Sequence, residues 1–204
     1  MGFRCKTFLA IAASVLLCEG LGWTQTSPEN RITVLVNDSV GVKSSTLKSA
    51  ETEAARLFRR AGIEIEWVRC GETDACRRLP RANEFVLHIV RNGKTQGDLV
   101  YGEAFLGADG RGKYADVFYD RLRQMGDIDM DQLLGAVSAH ELGHLLLGSR
   151  SHSLMGIMTP IWGKESLRRI VTRTLNFTPE QEKLMNSRLG NERVVVTTLG
   201  DRVP

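Results

Sequence analysis

The chain has 204 residues, 42% of them apolar and 25% charged, which suits one domain with a proper core and excludes a wholly disordered, collagenous or polytopic membrane protein. Its net charge of +3 is scattered along the sequence. No Lys/Arg stripe with interleaved aromatics is present, so nucleic acid is not an expected partner.

Residues 1–22 carry Arg4 and Lys6, then an apolar run from Phe8 to Leu17, then Cys18, Glu19 and small residues. That is the order of a secretory signal peptide, and the apolar run is too short to span a bilayer, so stable membrane insertion is not expected. The expected location is secreted or periplasmic. Lipid anchoring through Cys18 is disfavoured because Leu17, directly before it, is not the small residue a lipoprotein signal requires. Loss of the signal would remove Cys5 and Cys18 and leave Cys70 and Cys76 in an oxidising compartment, flanking a polar loop. A disulfide between them is the expectation.

Residues 31–36 (RITVLV) read as the first strand, rich in β-branched side chains. From residue 43 to 61, Leu47, Ala50, Ala54, Leu57 and Phe58 recur at helical steps, and Gly62 stops the helix. Residues 63–68 (IEIEWV) alternate as a half-wet strand and residues 85–90 (FVLHIV) form a more buried one. His88 on the latter is expected to be a hydrogen-bonded structural residue. Residues 100–105 and 114–119 read as further strands, and Gly102, Gly107, Gly110 and Gly112 place this region at an irregular sheet edge. Tyr101, Tyr114 and Tyr119 are read as strand aromatics.

The acidic stretch from Asp127 to Asp131 lacks the glycine and distal glutamate of a calcium loop and leads into a helix over residues 132–147. That helix is apolar nearly all round, yet it carries His140, Glu141 and His144, which are expensive to bury without a partner. His140 and His144 are four residues apart, so they stack on one face and both reach one ion. Glu141 is placed to act on a water at that ion rather than to join its coordination. Zn2+ is therefore the expected cofactor. Gly148 ends the helix, His152 follows, and a short apolar turn holds Gly156 and Met158. A helix is expected over residues 166–175, and another from about 179 to 189 with Thr178 as cap, Pro179 first and Gln181 reaching back. From Gly190 the tail reads as loose.

The stretch HELGHLLLGSRSHSLMGIMTP resembles the zinc signature of the metzincin clan of metallopeptidases, in its matrixin style, where serine follows the third histidine and a short run leads to methionine and proline. The resemblance implies His140, His144 and His152 as zinc ligands, Glu141 as general base and Met158 as the methionine of the turn beneath the metal. It also implies a zincin-like α+β fold within the α/β class: a small twisted mixed sheet, a backing helix, an active-site helix and C-terminal helices. In the clan the glycine comes three residues after the second histidine and the third histidine six after it. Here Gly148 is four and His152 eight after His144. One extra helical residue turns the exit by about 100°. The third ligand therefore stays open between His152 and a downstream acidic residue, Glu165 first.

The function these features imply is a secreted zinc-dependent endopeptidase in which Glu141 assists attack by zinc-bound water on a peptide bond. The peptide or protein substrate would lie extended along the edge strand near residues 100–105. The domain division is 1–22 signal, 30–190 catalytic domain and 191–204 tail. Two alternatives remain: a secreted zinc-binding interaction module without activity, and a zinc hydrolase of non-peptide substrates. Oligomeric state is not legible.

Overall fold

The computed structural model describes residues 30–71, 74–94, 99–125 and 128–200, with side chains up to residue 191. The expected signal segment and Cys18 lie outside the described residues, as does Asp127. Among the described residues five strands and five α-helices follow in the order β1 (Arg31–Asp38), α1 (Ser44–Arg60), β2 (Glu64–Arg69), β3 (Glu84–Val90), β4 (Gly102–Phe105), β5 (Tyr114–Phe118), α2 (Tyr119–Arg123), α3 (Met130–Leu147), α4 (Lys164–Val171) and α5 (Pro179–Gly200). The strands form one mixed sheet in the order β2-β1-β3-β5-β4. All neighbours are parallel except β4, which runs antiparallel to β5 at the edge.

Alternation decides which face of the sheet is covered. Val34 and Val36 on β1 stand opposite Phe85 and Leu87 on β3, and Leu87 and Ile89 stand opposite Ala115 and Val117 on β5; all of these, with Ile32 on the same face of β1, are buried. Leu47, Ala50, Ala54, Leu57 and Phe58 of α1 share one core with them, together with the apolar residues of α3. Every residue of α3 from Leu133 to Leu147 is buried, so His140, Glu141 and His144 are enclosed by the fold. Among the described residues no helix is long and apolar enough to cross a membrane.

Three elements depart from expectation. β5 stops at Phe118 and Tyr119 opens the unanticipated short helix α2, because Leu122 plunges into the core and Asp120 donates its amide to the Arg91 carbonyl. α4 ends at Val171 rather than near Leu175. Arg173 takes a left-handed backbone (φ 55°), which turns the chain and sends Leu175 inward. α5 runs through Gly190 to Gly200, since one glycine costs a helix about 1 kcal/mol without ending it and no proline intervenes. Its start is as expected: Thr178 and Gln181 exchange side chain to backbone hydrogen bonds of 2.9 and 3.4 Å.

Cys70 and Cys76 are joined, with Cα atoms 5.3 Å apart. A cross-link over so short a loop (sequence separation 6) is worth about 2 kcal/mol by loop-closure entropy. His88 is hydrogen-bonded through Nδ1 to Asp116 Oδ1 at 3.2 Å, in keeping with a structural histidine.

Candidate active site

α3 delivers the first two imidazoles. His140 and His144 are 8% and 5% exposed, and their rings meet edge-on with centroids 4.8 Å apart. His140 Nδ1 donates to the carbonyl of Ile157 at 2.7 Å, and His144 Nδ1 donates to the carbonyl of Ser149 at 2.7 Å. Because a carbonyl only accepts, each Nδ1 carries the hydrogen, and a neutral ring then leaves a lone pair on Nε2. Burial first, then the neighbouring His144, pushes His140 down to about 3, and burial also lowers His144, so both rings are neutral at physiological pH. The two Nε2 atoms nevertheless face each other at 3.1 Å. Two lone pairs at that distance repel unless a cation lies between them.

His152 completes the cluster despite its unusual spacing. The chain leaves α3 through Gly148, whose left-handed backbone (φ 62°, ψ 32°) suits glycine, and doubles back at once. Ser149 donates its amide to the His144 carbonyl, Ser151 donates its amide to the Ser149 hydroxyl, and Ser153 is tied to the Met158 carbonyl. Gln181 of α5 donates to the Ser153 hydroxyl at 3.0 Å and pins the segment from behind. The His152 ring consequently lies 5.4 Å from His140 and 4.8 Å from His144, centroid to centroid. One ligand atom from each of the three histidines falls within 4.8 Å of the others. Glu165, the acidic candidate, sits in the first turn of α4, exposed and paired with Arg168 at 2.8 Å, away from the imidazoles.

A metal fits this set. Three neutral imidazoles with convergent nitrogens, two of them oriented by backbone carbonyls, are the donors and the outer support that zinc takes, and they leave a coordination position open.

Met158 is fully buried, and its sulfur lies against Gly143, between the two helical histidines, where any side chain would collide with it at 2.8 Å. Trp162 meets the His140 ring edge-on at 5.8 Å and donates Nε1 to the same Ile157 carbonyl at 3.3 Å. Glu141, 6% exposed, lies against β4: a Cβ at Gly102 would stand 2.6 Å from Glu141 Cγ and 2.7 Å from the Asp116 carbonyl oxygen. Burial first, then the charges of Glu103 and Asp116, pushes the Glu141 carboxyl up to about 8. A dication at the imidazoles works in the opposite direction.

These groups line one open cleft, walled by residues 99–104 on one side and by Arg150, His152, Thr159, Pro160 and Trp162 on the other, with α3 as floor. β4 bonds only to β5, so its outer edge faces the cleft among the described residues. Sequence reasoning had singled out the histidines, Glu141 and Met158. It missed Gly102, Arg150, Trp162 and the carbonyls of Ser149 and Ile157, since a backbone acceptor leaves no mark in the residue order.

Neither a family model nor a curated protein matches the sequence. Solved structures do. Archaemetzincin from Methanopyrus kandleri superposes with a TM-score of 0.50 at 17% identity, covering 80% of this chain and 97% of that one. A zinc-dependent peptidase from Methanocorpusculum labreanum gives 0.51 at 14% identity, covering 76% and 99%. The chain shares their fold. The expected zincin-like architecture is thus present over most of the sequence, with a mixed sheet and its helices arranged as in archaemetzincin. The extended zinc-site stretch sits where α3 and the following turn bring its three histidines together.

Proposed function

We propose that this protein is a zinc-dependent endopeptidase. The observation that carries the reading is the meeting of three neutral imidazoles with an enclosed carboxylate, Glu141, beside an open strand edge. Zinc held by His140, His144 and His152 would supply Lewis acidity toward a carbonyl and acidify water near neutral pH. Glu141 then holds the proton taken from the attacking water on a carboxylate oxygen and hands it to the departing amine nitrogen. The edge of β4 offers unpaired backbone groups to an extended chain, which favours a peptide over a compact non-peptide substrate. Trp162 and Pro160 close the cleft opposite. An exported setting agrees with the charged and apolar N-terminal segment and with the Cys70–Cys76 bridge, which belongs to oxidising compartments.

The test is zinc content by elemental analysis together with cleavage of casein in the presence and absence of a chelator. One zinc per chain with cleavage that stops on chelation and returns with zinc supports the reading. Zinc without cleavage would turn it toward a binding module, and no zinc would remove its basis.

Gly102→Ala is expected to slow turnover by about 100-fold while leaving zinc bound. The added Cβ meets both Glu141 and an immovable backbone oxygen, so the carboxylate must shift, and a displacement of that order costs about that much in rate. Parallel kinetics and metal analysis of the purified variant check this. Unchanged turnover would show that Glu141 is not held against β4.

A further inference from the structure

One arginine borders the cleft with most of its guanidinium uncommitted to a carboxylate among the described residues. Arg150 is exposed, lines the cleft beside His144 and His152, and donates Nη2 to the Leu106 carbonyl at 2.6 Å, just beyond the end of β4. Four other arginines, Arg56, Arg69, Arg78 and Arg168, spend their guanidinium on a carboxylate at 2.6 to 2.9 Å, whereas Arg121 and Arg169, like Arg150, donate to backbone carbonyls. Arg150 meets no carboxylate among the described residues. Its carbonyl contact orients the fork and occupies one N–H, and on a residue that lines the cleft the others remain for a planar carboxylate, which two of them can hold.

We propose that Arg150 determines substrate specificity by binding a substrate carboxylate. The proposal deepens the peptidase reading and rests on it. Its position along the cleft follows from the strand. Glu141 marks the cleaved bond at Gly102, while Arg150 reaches the strand end at Leu106 and borders the cleft beside Ala104. At about 3.3 Å per residue, the carboxylate belongs to a residue about two or three away from the bond, on the face turned to α3. An acidic side chain and a free C-terminus offer the same chemistry.

Peptides differing only in Glu against Gln, scanned position by position, are to be bound to zinc-loaded Glu141→Ala protein and followed by fluorescence anisotropy, so that nothing is cut. Glu should bind about tenfold more tightly than Gln at one position. Arg150→Gln should reduce that ratio below about twofold, Arg150→Lys should restore part of it, and Arg150→Glu should invert it in favour of Lys, a gain that mere damage to the segment does not produce. If the preference appears only with a free C-terminal acid and vanishes on amidation, the terminus is the source. No preference at any position, or one that survives Arg150→Gln, overturns the proposal. Cleavage of the tightest peptide by the protein with Glu141 intact separates the two readings: preference without cleavage keeps the carboxylate site and defeats the peptidase, and cleavage without preference does the reverse.

Discussion

Glu141→Gln is expected to lower peptide cleavage by about 10²- to 10⁴-fold, the range that general acid–base catalysis contributes, with zinc still bound at one per chain. The expectation follows from where the side chain sits. Glu141 lies between His140 and His144 on one buried helical turn, yet its carboxylate packs against Gly102 and is not part of the imidazole cluster. A group so placed would serve proton transfer under the proposed reading, and it contributes no atom to the histidine cluster. Glutamine keeps the shape and the packing on Gly102, so the variant isolates the lost base from any loss of fold. Zinc analysis and initial rates on one preparation suffice. A Glu141→Gln protein that cleaves at the parent rate would assign the proton to another group, and one that loses its zinc would make Glu141 a ligand.

The second large effect concerns His152. Its replacement by alanine is expected to weaken zinc binding by at least about 100-fold, since loss of a group that merely orients a ligand already costs 10- to 100-fold, and to abolish cleavage with it. Competition against a chromophoric chelator measures the affinity. The fold should survive, because His152 is exposed and its removal strands no buried partner, in contrast to His140 and His144, whose Nδ1 groups satisfy the Ile157 and Ser149 carbonyls. Glu165→Gln is the matched control and should leave zinc affinity unchanged, its carboxylate being engaged by Arg168. Parent affinity in His152→Ala would return the third position to an acidic residue.

Both variants probe a site that was partly visible before any fold was known. His140, Glu141 and His144 could be read because a helix converts a sequence interval of four into proximity in space, and because an apolar helix does not carry three polar residues without a reason. The strands over residues 31–36 and 85–90 and the helix over 43–61 were legible for the same cause: period two and period 3.6 are local properties. α2 was not legible, since its five residues have no period to display, and what holds it is Leu122 in a core made by distant elements. The end of α4 was hidden likewise, set by one left-handed residue at Arg173.

His152 marks the boundary between the two kinds of knowledge. The sequence by itself determined that two histidines spaced to reach one ion and a glutamate beside them stand on one apolar helix, that a glycine ends it and that a third histidine follows at an interval longer than the pattern it resembles. Only the tertiary structure decided that the longer interval still closes on the same point. That outcome depends on Gly148 reversing the chain, on the Ser149 carbonyl accepting from His144 Nδ1, and on Gln181 reaching from α5 to hold Ser153. The same holds for Gly102, whose missing side chain makes room for Glu141 from a strand some forty residues earlier. Local periodicity places side chains on a face. Which faces meet, and at what distance, is settled by contacts between segments that the order of residues does not relate.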